Sequence, residues 1–311
     1  MFGIYRTYLA LVVVVHHLLS VPIIGHYAVH GFFILSGYLM TYVMCRSYGY
    51  SPLGVKSFAI NRFLRLFPSY WVILLLSVLA VLFFGENNSV LYREFIYIPT
   101  DIYEWTQNIT LIYVDLFPGR VLPRLSPPTW ALTIELIFYF LIALGLSKNK
   151  KLTTFWFLIS ILYMLATHIF PLGYSYRYSI VFAGTLPFSM GAMIFYYYDD
   201  VKKFLHFRFF NVGGLFLLIT LNFLFSTLLE HFQAHKYFFL FSFYFNYLLN
   251  ALLIISLVEN KIPFISRGVD KVIGDYSYPI YLIHWQAGFV ASMLIWSEPI
   301  RGFSFKGAGS F

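Results

Sequence analysis

Nine stretches of the chain are apolar enough to be read as membrane-crossing helices: residues 4–24, 28–45, 68–84, 131–146, 152–170, 179–198, 209–229, 237–258 and 278–297. Most approach the roughly 20 residues that an α-helix needs to cross a hydrocarbon core, and polar residues gather between them. The first run has no small-residue cleavage site after it and leads into a second run, which reads as a span rather than a signal peptide. The pattern predicts an all-α integral membrane protein: a polytopic helical bundle of about nine transmembrane helices, with one membrane domain over 1–297 and a short tail over 298–311. The longest polar interval, about 85–130, carries turn residues in FPGRVLPRLSPP and is expected to be a functional loop that folds over one mouth of the bundle. No repeat of fixed period and no low-complexity tract is present.

Composition agrees with this picture. The chain is 60% hydrophobic, 22% aromatic and 11% charged, whereas a soluble domain carries about 25% charged residues, and its mean hydropathy is +0.74. Its 311 residues leave no room for a separate soluble domain beside nine spans. Alternating the spans puts Arg93, Arg120, Arg124, Arg177, Lys236, Arg301 and Lys306 on one side and the other two-thirds of the 21 Lys and Arg on the side of the N-terminus. The positive-inside rule therefore places the N-terminus in the cytoplasm. The net charge of +8 is spread over loops between spans, so it carries no nucleic-acid meaning. Cys45, the single cysteine, excludes an internal disulfide and a CxxC metal site.

Polar residues inside apolar runs are where function is sought first. In YRTYLALVVVVHHL, Arg6 and His17 are eleven residues apart and return to within roughly 20° of one helical face; His16 points elsewhere. A rise of 1.5 Å per residue separates them by roughly 16 Å along the axis. A site using both needs a long ligand threaded along the bundle or two separate subsites. The spacing leaves another reading open, in which Arg6 snorkels to the interface and the histidine fills a polar gap. In SFAINRFLRLFPSYW, Arg62 and Arg65 share a face of a short amphipathic segment just before Pro68 opens the next span. Paired guanidiniums suit phosphate, and they equally suit anionic lipid headgroups. In PPTWALTIELIFYF, Glu135 lies about one turn inside a span, with Tyr139 a turn further on. In GDYSYPIYLIHWQ, Tyr281 and His284 share a face with Tyr278 near the inner half of the last span. His168, His206, His231 and His235 fall near loops and are read as solvated. HFQAH has the i, i+4 spacing of a metal pair but no third ligand, so no metal is expected.

Together these strings resemble the acyltransferase-3 family of membrane acyltransferases, which acylate bacterial cell-surface polysaccharides and lipopolysaccharide O-antigens. Arg6 and His17 match the family's Arg-x10-His, and HGFFILSGYL matches its glycine-serine turn with Ser36 and Gly37. Arg62 and Arg65 match Arg-x-x-Arg; Trp130 with Glu135 and Tyr281 to His284 match two later strings, in order over residues 1–285. The resemblance implies O-acetyl transfer from cytoplasmic acetyl-CoA to a hydroxyl of a saccharide or lipid-linked glycan, in a bacterial cytoplasmic (inner) membrane. Imidazole is a base suited to taking the hydroxyl proton, which assigns the role to His17. Arg62 and Arg65 would hold the donor's phosphates, and the donor arm would pass Arg6. Glu135 would orient the acceptor hydroxyl or fix the His17 tautomer, with Ser36, Tyr139, Tyr281 and His284 in support. No acyl-enzyme nucleophile is evident, so direct attack is expected. The chain departs from the family in two places: His30 stands where an acidic residue is common, and nine spans are read where ten are usual, so the Arg301–Phe311 ending is expected to be non-native. Rival classes are a proton-coupled transporter or flippase using Arg6, His17 and Glu135 as a relay, and a non-catalytic membrane partner of a glycan-assembly complex.

Overall fold

The computed structural model describes residues 2–113, 122–170, 172–204, 211–259 and 265–302. Twelve α-helices follow one another among the described residues, with no strand: α1 Gly3–Leu18, α2 Ile24–Val43, α3 Pro52–Phe84, α4 Glu86–Tyr92, α5 Ile102–Thr110, α6 Thr129–Ala143, α7 Lys150–Ile169, α8 Ser175–Tyr178, α9 Thr185–Phe204, α10 Val212–His231, α11 Lys236–Glu259 and α12 Arg267–Trp296. The nine long ones fall on the nine apolar stretches. Five segments are long and apolar enough to cross a membrane by length and composition: Ile24–Tyr48, Pro52–Phe84, Lys150–Ile169, Val212–His231 and Lys236–Val258. The protein is thus an all-α membrane bundle. Leu75, Leu79, Leu82 and Phe83 of α3 stand exposed, as side chains facing lipid do.

Helix α2 is the most enclosed of the five, two-thirds buried, and packs against α1, α6, α9, α10 and α11. Its glycine-serine pair is not a turn. Gly37 lies mid-helix, where a Cβ would sit 2.1 Å from the Phe188 carbonyl oxygen of α9, and a Cβ on Gly191 would sit 2.0 Å from the Ile34 carbonyl. Two glycines thus let two backbones touch, the means by which helices associate where no hydrophobic gain is available. Helices α1 and α12 run parallel and equally close. Gly3 and Ile4 donate their backbone N–H groups to Asp270 Oδ2 and Oδ1 (3.1 and 3.0 Å), and Thr7 Oγ1 donates to the Ile273 carbonyl (2.8 Å). A polar chain through Asn246 and Asn250 ties α11 to the Tyr27 carbonyl of α2 and the Tyr5 hydroxyl of α1.

Several element boundaries depart from the sequence reading. The first helix stops at Leu18 rather than 24, because Pro22 cannot continue it and Ser20 and Ile23 turn to positive φ. Pro68 opens no new helix: α3 runs through it from Pro52, with Ser51 capping its start. The last helix begins eleven residues before 278, because Asp270, Lys271 and Asp275 hide its first turns from a hydropathy reading. Residues 85–130 are not structureless. They contain α4 and α5, and residues 122–128 are fastened to α12, with Gln286 donating to the Leu125 carbonyl (2.6 Å) and Tyr281 to the Pro128 carbonyl (3.0 Å). Buried Asn108 accepts from the Leu125 N–H and donates to the Pro123 carbonyl.

Candidate functional site

Two chambers lie at opposite ends of the α1–α12 pair; the one beside the start of α1 is termed near, the other far. The near chamber, about 300 Å³, is walled by α1, α2, α3, α6 and α12. The continuity of α3 sets Arg62 and Arg65 one turn apart on its wall, and Arg6 joins them from α1. None of the three guanidiniums is ion-paired among the described residues, and Arg6 and Arg62 each lie close enough to Arg65 to feel its like charge. Ser36 of α2 donates its hydroxyl to Glu135 Oε1 of α6, and the Tyr139 hydroxyl stands 3.4 Å from Ser36 Oγ. Tyr278 and Tyr281 close the chamber from α12. Three converging cations face two carboxylates, the hydrogen-bonded Glu135 and Asp275, which leaves one positive charge in excess, a setting that favours an anion.

The far chamber, about 640 Å³, lies where α1 ends. His16 and His17 line it together, so His16 does not point away. The His16 ring is 4.6 Å from that of His17, and its Nδ1 meets the Val21 carbonyl at 2.5 Å, which pins the turn after α1. His17 stacks on His284, with ring centroids 5.2 Å apart and planes at 10°, and lies 4.9 Å from the Trp285 ring. His284 Nδ1 is 2.7 Å from the Tyr281 carbonyl. A carbonyl only accepts, so Nδ1 carries the proton and Nε2 the lone pair; that Nε2 is buried without a hydrogen-bond partner. His284 therefore sits buried behind His17, toward the end of the bundle where α1 stops and not in an inner half, without lining the far chamber itself. The 85–130 segment does cover this mouth, as it supplies Arg93, Phe95, Arg124, Pro127 and Trp130 to the walls.

Of the residues singled out in the sequence, the fold gathers Arg6, Ser36, Arg62, Arg65, Glu135, Tyr139 and Tyr281 at the near chamber. It sets His17 at the far one, with His284 stacked behind it. The division falls within one turn of α12: Tyr281, packed edge-on against Phe32 at 5.9 Å, lines the near chamber, and Trp285 lines the far one. Glu135 is hydrogen-bonded to Ser36 and lines the chamber away from His17, which leaves orientation of a bound group, rather than of the imidazole, as its geometric role. His30 is fully buried among Phe243, Tyr178 and Tyr247 and lines neither chamber. His168 is not simply solvated, since its Nε2 is 2.9 Å from the Tyr244 hydroxyl. His231 ends α10 and His235 precedes α11, so their i, i+4 spacing is not carried on one helix; His206 lies outside the described residues.

The order of these groups along one bundle agrees with an independent comparison, in which the acyltransferase-3 family model, described as an acyltransferase domain, matches residues 4–308. The chain belongs to the acyltransferase-3 family. No curated protein and no solved structure matches it. As a member, it is a multi-pass membrane acyltransferase, and an acyl donor is its cosubstrate.

Within this acyltransferase domain, sequence reasoning missed His26, Arg93, Arg124, Trp285 and Arg301 as chamber residues. The three arginines were visible only as exceptions to the charge asymmetry of the loops. Arg301 belongs to the tail, where the Gly302 N–H donates to the Leu18 carbonyl (3.1 Å) and holds the segment across the end of α1; residues 303–311 of the ending lie outside the described ones.

Proposed function

We propose that this acyltransferase moves an acetyl group from cytoplasmic acetyl-CoA to a hydroxyl of a cell-surface or lipid-linked saccharide, with His17 as general base. The observation that carries the reading is the division of labour between the chambers. Arg6, Arg62 and Arg65, none of them ion-paired among the described residues, offer fork-shaped donors to the phosphates of a donor at the near end. His17 waits roughly 16 Å further along the same helix, at a distance that a long thioester arm can span once it passes Tyr281 and Phe32. The acceptor hydroxyl gives its proton to His17 as its oxygen attacks the thioester carbonyl; the carbon–sulfur bond then breaks, and the imidazolium returns the proton to the departing thiolate. Direct attack needs no acyl-enzyme. Ser36 is engaged with Glu135, which favours a polar support for the donor over a nucleophile. The excess of Lys and Arg on the side of the N-terminus supports a cytoplasmic N-terminus, and the family resemblance supports a bacterial inner membrane.

The test is transfer of label from acetyl-CoA to a saccharide fraction in proteoliposomes. His17→Ala is expected to cut transfer by about 10²–10⁴-fold, the usual worth of a positioned base, while donor affinity stays unchanged. Transfer at the parent rate in that variant would overturn the assignment of the base. Absence of transfer from the parent protein to any saccharide would overturn the reaction.

A further inference from the structure

A second cavity, about 750 Å³, adjoins the far chamber and has no part in the division of labour above. The two share His26 as a wall, and the short helix α8 stands between them. Ser175 and Tyr178, with Ser179 after them, line the far chamber, whereas Tyr174 and Arg177 line the second cavity. Residues three and four apart share a helical face, so one turn of helix serves both hollows. Arg177 fixes α8 in this place by donating from Nη1 to the Thr167 and Leu172 carbonyls at the end of α7 (3.0 and 2.9 Å). An unbroken run of rings passes from one hollow to the other. Trp130 of the far chamber meets Tyr178 edge-on with centroids 4.8 Å apart, Tyr178 lies 4.1 Å from His26, and Tyr174 lies 5.6 Å from both His26 and Tyr178. Tyr27, Tyr237 and Phe243 continue the aromatic lining beyond them. Polar groups stand among the rings: Thr167, His168 and Lys236 at the walls, and the Tyr174 hydroxyl 3.3 Å from His26 Nδ1. Aromatic faces edged by hydroxyl and N–H groups suit a sugar, whose ring offers C–H groups to a face and hydroxyls around its rim. A bare lipid chain has no use for those polar edges. Each cavity falls within the roughly 300–1,000 Å³ of an ordinary ligand site, so the pair together exceeds what one sugar ring fills.

Resting on the acyl-transfer reading above, we propose that the second cavity is an acceptor subsite for the sugar next to the one acylated, so that glycans of at least two linked sugars are taken over free monosaccharides. The acylated sugar lies beside His17 in the far chamber, and the glycan crosses α8 past His26. Tyr174 and Tyr237 carry the adjoining sugar, and Lys236 at the mouth donates to its hydroxyls.

The test uses the full chain in nanodiscs. The probes are the surface and lipid-linked glycans of the host cell, hydrolysed and sorted by size into fragments of one, two, three and four sugars. Binding is read with end-labelled fragments, and transfer with labelled acetyl-CoA. Fragments of two or more sugars are expected to bind about tenfold tighter than single sugars, the worth of one further ring on an aromatic platform. Tyr237 is 65% exposed, so its truncation leaves the bundle intact. Tyr237→Ala is expected to remove most of the size preference and to hold single sugars within about twofold, and Tyr237→Phe, which keeps the ring, to retain the preference. In transfer, the same loss is expected in KM for the longer fragments while kcat holds. Equal affinity for all sizes, an equal loss for all sizes in Tyr237→Ala, or no binding of any fragment would overturn the proposal. Unchanged fragment binding in Tyr237→Ala with loss of a co-purified lipid would also overturn it and give the cavity to lipid. A size preference without transfer to any fragment would sink the acyl-transfer reading alone; transfer with no size preference would sink the subsite alone.

Discussion

Asp270 joins the first helix to the last, and its removal measures how much the chambers depend on that joint. Helix α1 has no side-chain cap of its own; the two carboxylate oxygens of Asp270, 5% exposed, take its first backbone N–H groups instead. An anionic group at a helix N-terminus is favoured by the helix dipole and by the orphan donors there. Asp270→Ala leaves two largely buried donors without an acceptor, at about 1–3 kcal/mol each, for a loss of about 2–5 kcal/mol in all. Asp270→Asn keeps one acceptor oxygen and is expected to lose about half as much. At about 2–4 °C per kcal/mol, Asp270→Ala lowers the melting temperature by about 5–15 °C. The assay is thermal unfolding of the detergent-solubilised protein followed by tryptophan emission. Because Arg6 and His17 both ride on α1, transfer activity is expected to fall with stability in the same order: parent, Asp270→Asn, Asp270→Ala. A melting temperature for Asp270→Ala within about 2 °C of the parent, or equal damage from both substitutions, would refute the capping argument.

Arg62→Lys is expected to weaken acetyl-CoA binding by about tenfold and Arg65→Lys by less, because Lys loses the bidentate fork and Arg65 is the more exposed of the two; fluorescence titration with a donor analogue checks the order. Gly37→Val is expected to abolish folded protein in the membrane, since its Cβ would meet the Phe188 carbonyl oxygen at 2.1 Å; size-exclusion recovery after solubilisation reads it, and recovery at the parent level would refute the contact. His16→Ala is expected to cost stability as well as activity because it releases the Val21 carbonyl, which a melting curve separates from the purely kinetic loss in His17→Ala. A reporter fused before Phe2 is expected to be active only in the cytoplasm, and external activity would reverse the bundle.

The apolar runs of the chain were sufficient to locate the nine long helices of the described residues, though not their ends, because a helix packed in an apolar bundle must satisfy its backbone internally and shows this as length and hydropathy. Intramembrane polar residues were equally legible: Arg6, His17, Glu135 and His284 stand out against an apolar background because burial of such groups is costly. The division of those residues between the two ends of the bundle was decided by tertiary structure. It depends on α12 beginning at Arg267 and running parallel to α1, so that Tyr281 lines the near chamber and His284 lands on His17. Charged residues in its first turns mask that start, and one of them, Asp270, caps α1, a contact 267 residues away in the chain. The far arginines were likewise unreadable as a site. Arg93 and Arg124 come from distant parts of one interval between helices and Arg301 from the tail, with no shared spacing, and only the tertiary fold brings them to one cavity. Local pattern reports what a residue costs in a membrane; which partners offset that cost is set by helix register and by loops held through backbone carbonyls, neither of which leaves a periodic trace.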